Sequence, residues 1–332
     1  MEELADVVED SGTGSYLPPK IVTNADLAKT LDTSDEWIFA HSGIHSRHLA
    51  GPDESTVTSA VRAGRAALAA AGVDASEIDM LAVATCSPDY LLPSTASIVQ
   101  KELGCVNAFA FDMAAACSGF VYALEMARGY LTLHSGTTKA LVIGAETLSR
   151  IVDWHDRASC ILFGDGAGAA VVGCCDDGVD GVCHSYLRTD GTGYAHLLRE
   201  GGTHAPIAEG PRPAPTLQMS GKPVFQFAVK ALPNVVERLC GEAGIATSDI
   251  DLFVPHQANI RIIDSAAKRL GISRDRVFTN IDSVANTSAA SIPIAVDEAV
   301  RAGRLRDGMS VCFVGFGAGL TYGGILTRWP YL

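Results

Sequence analysis

The segment Ala71–Met80, AGVDASEIDM, returns without a gap as Ala243–Leu252, AGIATSDIDL, 172 positions further along the chain. A second pair follows in the same order, because the apolar run Ala140–Gly144 returns as Val311–Gly315 at an offset of 171. Two matches in one order at nearly one offset indicate an internal duplication. The sequence therefore predicts two similar α/β halves, which we divide at residues 1–176 and 177–332.

Composition and charge limit the function classes that fit this chain. Its 332 residues are 48% hydrophobic and 19% charged, which is typical of a soluble α/β protein. The net charge of −13 argues against a nucleic-acid partner, because phosphate binding needs a basic stripe. No apolar run reaches the ~18 residues of a membrane span, so no membrane partner is expected.

The cysteines predict a reducing environment. All nine are scattered without a CxxC pair, and no basic and apolar leader opens the chain, so we expect a cytoplasmic protein. No metal-ligand spacing is visible among Cys and His, so no metal site is predicted. One local basic cluster stands against the acidic total, and it suits either a solvated helix face or a docking site for an anionic partner. It comprises Arg261, Lys268, Arg269, Arg274 and Arg276.

One cysteine lies where a strand pattern changes into a helix pattern. The stretch Phe111–Phe120, FDMAAACSGF, begins as an apolar run, passes through small residues and leads into a helical pattern. A thiol at that corner faces the free N–H groups and the positive dipole end of the helix, which favour the thiolate. Cys117 is therefore a candidate nucleophile. The alternative is a small buried hydrophobe, which is the usual role of a cysteine.

Three further segments are predicted to form a strand, a turn and a long loop. Ala5–Glu9 predicts a short strand, Cys174–Gly181 predicts an acidic turn between the halves, and Gly201–Pro215 is a long Gly/Pro loop. A loop of that length in a compact domain is usually functional or mobile. We expect it to lie over a substrate entrance.

The duplication brings distant residues toward one site. Cys117 lies 46 positions after Ala71 and Asn286 lies 43 positions after Ala243, while His256 follows the first apolar strand of the second half. If the two halves are related by a pseudo-twofold axis, loops at equivalent positions of the two repeats meet at the centre of the molecule. Thiol, imidazole and amide suit acyl transfer through a thioester. The same set also serves a papain-type hydrolase, so residue types alone leave the reaction open.

Several long motifs, in order along nearly the whole chain, resemble the thiolase-like condensing enzymes, and most closely the β-ketoacyl-acyl-carrier-protein synthase III family. The resemblance implies a thiolase-like fold, in which two duplicated α/β halves form a layered α/β/α/β/α core. It rests on the segments Thr33–Ile38, Ala115–Phe120, Leu162–Ala169, Pro255–Arg261, Ala285–Ser288 and Gly315–Gly319.

The resemblance implies a decarboxylative Claisen condensation through an acyl-Cys117 intermediate, in fatty-acid or specialised polyketide-like biosynthesis. Backbone N–H groups of Cys117 and Ala318 would form the oxyanion hole, and His256 and Asn286 would hydrogen-bond the enolate formed from malonyl-acyl carrier protein. No cofactor is implied, since coenzyme A or phosphopantetheine thioesters are the substrates. True thiolases carry a second cysteine where this chain has Gly315–Gly319, which favours decarboxylation as the source of the carbanion.

The resemblance also implies binding residues and partners. Trp37 and Arg157 would bind the donor nucleotide, and Gly221 and Asn259 would follow the pantetheine arm. Carrier protein would dock on Arg261, Lys268 and Arg269, and Leu92 would enter the acyl pocket of the neighbouring subunit of a homodimer.

The chain departs from the family pattern at two positions. His41 stands where the family usually has arginine, and Gln226 stands at a position often filled by a lysine. The acyl group could therefore be delivered either by coenzyme A or by a carrier protein, and the sequence does not decide between these two donors. The alternative function is an acyltransferase or thioester hydrolase that uses the same Cys-His-Asn site.

Overall fold

A computed structural model describes residues 12–134, 138–173, 183–200 and 215–330. The predicted strand Ala5–Glu9, the turn Cys174–Gly181 and the division at 176/177 lie outside these residues, as does Gly201–Pro215 except for Pro215. The strands are β1 (Gly12–Tyr16), β2 (Lys20–Thr23), β3 (Ser46–Leu49), β4 (Met80–Ala84), β5 (Phe109–Met113), β6 (Lys139–Thr147), β7 (Asp165–Gly173), β8 (His184–Thr189), β9 (Leu197–Arg199), β10 (Leu217–Met219), β11 (Leu252–Pro255), β12 (Ser310–Gly317) and β13 (Thr321–Arg328). The α-helices are α1 (Asn24–Leu27), α2 (Asp35–Ser42), α3 (Thr56–Ala71), α4 (Thr95–Leu103), α5 (Gly119–Leu133), α6 (Arg157–Cys160), α7 (Gly221–Ala243), α8 (Ile260–Leu270), α9 (Ile281–Val284) and α10 (Ser291–Arg301).

The first sheet has five strands in the order β1-β7-β6-β4-β5. Strand β4 runs parallel to both β5 and β6, whereas β7 is antiparallel to β6 and to β1. Every residue of β4 is buried, as expected for a parallel strand that is covered by helices on both faces. The helix before this strand, α3, has clear end signals in the sequence. It begins after the Ser55 cap and ends before Gly72, whose φ of 69° suits glycine.

The second sheet repeats this arrangement with one strand fewer. Its order is β11-β12-β13-β8, with β11 parallel to β12 and the other pairs antiparallel. Strands β11, β12, β13 and β8 thus correspond to β4, β6, β7 and β1. The counterpart of β5 is reduced to a single parallel bridge between Phe253 and Val277. The predicted duplication is confirmed at the level of the fold.

The two halves also share an unusual turn before equivalent helices. The 3₁₀ turn Ala116–Ser118 leads into α5, and the 3₁₀ turn Ser288–Ala290 leads into α10. Ala116 has φ 46° and Ser288 has φ 49°, and the two positions differ by 172 in sequence. A positive φ in a residue with a Cβ costs about 1–3 kcal/mol and persists only where the surroundings enforce it. Both halves therefore keep the same strained corner.

Helices and sheets alternate in five layers. Helices α5 and α10 form the central layer, since Leu124 and Val296 belong to one core with Val142 of the first sheet and Phe313 of the second. Helix α3 covers the outer face of the first sheet, and α7 and α8 cover the outer face of the second. This is the layered core that the family resemblance implied.

Reciprocal close contacts join the halves at the two strained corners. A Cβ added at Gly144 of β6 would lie 2.2 Å from the carbonyl oxygen of Ala289, and one added at Gly317 of β12 would lie 2.6 Å from the amide nitrogen of Cys117. Each corner therefore packs against a glycine on the central strand of the opposite half. Only glycine allows that approach of two backbones, and this packing positions Cys117.

Candidate active site

Cys117 lies at the corner that joins β5 to α5. Its side chain is buried, and the corner is tied to the second half because Thr321 Oγ1 donates to the carbonyl oxygen of Ala115 at 2.9 Å. Cys117 and Ala318 line the same cavity. Two backbone N–H donors that converge on one acyl carbon are the requirement for an oxyanion hole.

Burial changes the expected charge state of the thiol. The helix N-terminus predicted a thiolate, but desolvation raises the pKa of the Cys117 thiol to about 12, while a contact with Ser288 lowers it in part. A buried charge without a cation beside it is costly. In the free site the thiol is therefore protonated, and it must lose its proton when it attacks. Burial therefore opposes the effect of the helix N-terminus, which favours the thiolate.

His256 follows β11 and is almost completely buried. Its Nδ1 lies 2.6 Å from Ser291 Oγ at the start of α10, and its ring packs edge-on against Phe316 of β12 at 5.4 Å. Burial lowers the pKa of His256 to about 3, so the imidazole is neutral. Since Ser291 engages Nδ1, a hydrogen bond from this ring to a substrate comes from Nε2.

Asn286 is held by backbone and side chain together. Its amide N–H donates to Leu162 O and its carbonyl accepts from Gly164 N, both at 3.0 Å. Its side-chain Oδ1 accepts from the backbone N–H of Ser288 at 2.8 Å. The oxygen is therefore oriented by the protein, and the Nδ2 group is the part of the side chain that is left to donate.

A cavity of about 700 Å³ opens at the nucleophile. Cys117, Ala318 and Ser288 line it, whereas His256 and Asn286 are not part of its wall within the described residues. Its other polar lining residues are Thr85, Asp89, Arg199 and Glu200. The volume is in the range of small-molecule sites. The rest of the wall is mostly apolar and includes Leu91, Leu148, Ile151, Phe163, Leu197, Leu198 and Leu217.

The buried imidazole makes stability depend on pH. The unfolded chain binds this proton below about pH 6.5, whereas the folded chain binds it only near pH 3 because burial lowers the pKa of His256. As pH falls, the unfolded state takes up the proton first, so stability is lost from about pH 6.5 down to the folded-state pKa. We expect His256 to cost about 2 kcal/mol between pH 7 and pH 5.

Urea midpoints at pH 7 and pH 5 measure this loss. In His256→Gln, the decrease in midpoint should be smaller than in the wild type. The exposed His155 offers a control, because His155→Gln should keep the wild-type decrease. An equal decrease in His256→Gln and in the wild type would contradict the expectation.

Family models match both halves of this site. The model described as 3-Oxoacyl-[acyl-carrier-protein (ACP)] synthase III matches residues 111–191, and its C-terminal counterpart matches residues 240–329. The chain belongs to this family. It is therefore an acyl-transferring enzyme of the condensing class, as the sequence motifs implied.

Individual relatives agree over nearly the full length. The chain is 50% identical to a β-ketoacyl-[acyl-carrier-protein] synthase III of Neisseria meningitidis serogroup C, over 96% of this chain and 98% of the relative. The synthase III of Thermus thermophilus is 44% identical with a TM-score of 0.89, covering 97% and 99% of the two chains. The priming β-ketosynthase of the R1128 polyketide pathway is 38% identical with a TM-score of 0.91, covering 99% and 98%. Primary and specialised members of the family thus share this fold.

Trp37 and Arg157 come together as the resemblance implied. The Arg157 guanidinium carbon lies 4.7 Å from the centre of the Trp37 ring, and the ring of His41 stacks on Trp37 at 4.2 Å. A flat ring inserted between Trp37 and Arg157 needs about 3.5–4 Å on each side, so one partner has to move. His41 Nδ1 is 2.7 Å from Trp37 O, which anchors the histidine, whereas Arg157 is half exposed.

The two predicted pantetheine residues lie at helix starts. Gly221 is the first residue of α7 and is exposed. Asn259 caps α8 by accepting from Arg261 N at 2.9 Å, and its Nδ2 donates to His41 O at 2.8 Å. Asn259 thus connects α8 to the end of α2. The substitution at His41 lies in direct contact with this predicted donor-binding residue.

The predicted carrier-docking residues differ in their availability. Arg269 is paired with Glu237 of α7 at 2.9 Å and also donates to Asn234. Arg261 and Lys268 are exposed, and within the described ranges neither forms an ion pair. The two unpaired cations are therefore the stronger part of the prediction.

Leu92 is 88% exposed and does not line the cavity of its own chain, whereas its neighbour Leu91 does. The sequence motifs did not single out Leu91 or Glu146, and they contained Ser288 without assigning it a role. Glu146 had a visible signal, because it is the one charged residue between Ala140 and Thr147 in an otherwise apolar and small-residue strand. Ser288 could not be found in this way, since its importance arises from contacts across the two halves.

Proposed function

We propose that the enzyme condenses an acyl thioester with malonyl-acyl carrier protein through an acyl-Cys117 intermediate. The observation that carries this proposal is a pair of neutral donors, His256 and Asn286, held by the part of the second half that packs against the Cys117 corner. His256 is hydrogen-bonded to Ser291 and Asn286 to the backbone N–H of Ser288, at the helix start and in the turn that contact this corner. Cys117 packs against Gly317, and His256 packs against its neighbour Phe316. Neutral donors suit a developing enolate, because a carboxylate in either position would repel it.

The first half-reaction loads the enzyme. The Cys117 sulfur forms a bond to the donor carbonyl carbon, and the C–O π electrons move to oxygen, where the N–H groups of Cys117 and Ala318 stabilise the charge. The carbonyl then re-forms and the donor C–S bond breaks. The proton that leaves Cys117 ends on the departing thiol, so the products are acyl-Cys117 and free coenzyme A or holo-carrier.

The second half-reaction makes the carbon–carbon bond. The bond between the malonyl methylene carbon and its carboxylate breaks, CO₂ leaves, and the electron pair forms a thioester enolate. His256 Nε2 and Asn286 Nδ2 hydrogen-bond the enolate oxygen. The enolate carbon attacks acyl-Cys117, the Cys117 thiolate departs, and a β-ketoacyl carrier is released. Uptake of one proton from solvent then restores the Cys117 thiol.

Intact-protein mass spectrometry tests the whole sequence. Incubation with a panel of acyl-coenzyme A and acyl-carrier donors should add one acyl mass to the protein. Subsequent malonyl-carrier protein should remove that mass, release CO₂ and yield a β-ketoacyl carrier. Loss of the adduct to water, or its transfer without CO₂ release, would contradict condensation and support a hydrolase or a simple acyltransferase.

We propose that the acidic carrier docks on the exposed cations of α8. Arg261→Glu should raise the KM for malonyl-carrier protein about tenfold and leave kcat nearly unchanged, because the contact acts on encounter and binding. Arg65→Glu is a matched control, since Arg65 is an exposed arginine of α3 in the other half. Equal effects of both variants would show that total charge, and not docking, controls KM.

We propose that the residues around Trp37 decide how well the enzyme uses acyl-coenzyme A as its acyl donor. An exposed cation beside a phosphate contributes less than about 1 kcal/mol, so His41→Arg should lower the KM for acyl-coenzyme A by up to about fivefold. Loading from an acyl carrier, which lacks the nucleotide, should not change. No gain with acyl-coenzyme A would show that His41 does not limit use of this donor.

We also infer a cytoplasmic homodimer. Strand β5 is the edge of its sheet and exposes Phe109, and the nearby chain exposes Leu92. An edge strand with apolar side chains is a surface that a second copy can cover. No helix in the described ranges is long and apolar enough to cross a membrane.

A further inference from the structure

A carboxyl group is buried next to the nucleophile, and the mechanism above does not use it. Glu146, on β6, has no exposed surface. Its carboxyl oxygens accept hydrogen bonds from Thr85 Oγ1 at 3.2 Å, from Cys86 N at 3.1 Å and from Ser87 Oγ. Within the described ranges, the groups that hydrogen-bond the Glu146 carboxyl are neutral donors and not cations. Such a group is costly to bury, so its position calls for a role.

Ser288 connects this carboxyl to the nucleophile. Cys86 Sγ lies 3.2 Å from Glu146 Oε1 and 3.7 Å from Ser288 Oγ. The Ser288 hydroxyl also acts on both ends of the path, because it lowers the pKa of the Glu146 carboxyl and of the Cys117 thiol. Cys86, Cys117 and Ser288 all line the same cavity. A hydroxyl can accept one proton while it donates another, so Ser288 is suited to join the thiol to the carboxyl.

The strained turn explains why the serine is in this place. Ser288 has φ 49° and its backbone N–H is held by Asn286 Oδ1 at 2.8 Å. Its pseudo-twofold equivalent is Ala116, the residue before the nucleophile. The two corners approach each other at the centre of the fold, so the hydroxyl of one corner reaches the thiol of the other.

We propose that Ser288 relays the Cys117 proton to Glu146 during acyl loading. As Cys117 Sγ attacks the donor, its proton moves to Ser288 Oγ, and the Ser288 proton moves to the Glu146 carboxylate. When the donor C–S bond breaks, the proton returns from Glu146 to Ser288 Oγ, and Ser288 gives its hydroxyl proton to the departing sulfur instead of to the acylated Cys117 sulfur. Ser288 and Glu146 are regenerated, and the net products are acyl-Cys117 and a free thiol. This inference rests on the proposed nucleophilic role of Cys117.

Charge conservation in a dry site favours this path. Before the proton moves, the negative charge is on Glu146. Afterwards it is on the Cys117 sulfur, so no second charge has to be buried. Solvent water could take the proton only if it entered the cavity as far as Cys117. The relay lets a thiol that burial keeps protonated react without that cost.

The groups that titrate near Glu146 are few. Cys86 approaches from the chain after β4 and Cys117 from the turn before α5, and burial raises the pKa of both thiols. On β7 the cross-strand neighbour of Glu146 is Gly166, which has no side chain. Burial also raises the pKa of the Glu146 carboxyl. The acid limb of the loading rate should therefore report Glu146, at a pH above that of an ordinary glutamate.

Single-turnover acyl loading, measured by mass spectrometry between pH 5 and pH 9, tests the relay. The wild-type rate should be nearly flat above its acid limb, because the proton is transferred within the site. Glu146→Gln keeps the size of the side chain, but it replaces one acceptor oxygen by an NH₂ group and cannot accept the proton. At pH 7 it should load about 10²-fold more slowly, and its rate should rise about tenfold per pH unit. An unchanged rate and profile in folded Glu146→Gln would overturn the inference.

Two milder variants decide the question if Glu146→Gln does not fold. Ser288→Ala should slow loading to a similar extent, because it breaks the path. Ser87→Ala removes a donor that stabilises the Glu146 carboxylate without touching Cys117, so it should move the acid limb upward by about one pH unit and keep the plateau. Wild-type loading at Cys117 with unmoved profiles in both variants overturns the relay alone. No wild-type adduct at Cys117 overturns the proposed function and the relay together.

Discussion

Cys117→Ala is expected to abolish covalent acyl loading and to lower the condensation rate by at least about 10³-fold, since the intermediate cannot form without the nucleophile. The measurement is intact-protein mass spectrometry after incubation with the acyl donor, combined with a product assay after malonyl-carrier protein is added. Removing one small buried side chain leaves a minor cavity, so the variant should stay folded.

Cys86→Ala is the matched control. Cys86 is a second thiol in the wall of the same cavity, but it does not stand at a helix N-terminus. This variant should keep its acyl adduct. An adduct that persists in Cys117→Ala and disappears in Cys86→Ala would move the nucleophile from α5 to the chain after β4.

Asn286→Asp is expected to separate the two half-reactions. The aspartate keeps an oxygen to accept from Ser288 N, where Asn286 Oδ1 now accepts at 2.8 Å, so the loop should hold its shape. It replaces the Nδ2 donor by an anion that repels the enolate. Acyl loading should change by less than about threefold, while CO₂ release from malonyl-carrier protein should fall by about 10³-fold, as when an oxyanion donor is lost.

Release of ¹⁴CO₂ from labelled malonyl-carrier protein, measured beside the loading rate, checks this separation. Asn280→Asp is a suitable control, because Asn280 is a buried amide of the same region that donates to Glu298 at 2.9 Å. It should not lower decarboxylation selectively. Equal losses in loading and in CO₂ release for Asn286→Asp would assign Asn286 to the shape of the site and not to the enolate.

The binding residues show where sequence comparison alone is weak. Trp37 and Arg157 were predicted as a pair and do lie together, but the ring of His41 is stacked on the same tryptophan. Arg269, which was predicted to dock a carrier, is paired with Glu237 of its own chain. A motif specifies which residue stands at a position, whereas its neighbours in space decide whether that side chain is available.

The sequence by itself determined the duplication, the α/β class and the family. These properties are carried by local patterns: an apolar run for a buried strand, a glycine that ends a helix, and motifs that repeat at a constant offset. It also named Cys117, His256 and Asn286, because the thiol lies at a strand-to-helix corner and all three residues stand in motifs of the family.

The tertiary structure alone decided the electrostatic state of the site. The helix N-terminus that favours a thiolate is buried by the opposite half, and desolvation raises the pKa of the Cys117 thiol. Ser288 and Glu146 come from different halves and meet the thiol only when the strained corners pack. Burial and contact between distant segments depend on the whole fold, so no local pattern in the chain encodes them.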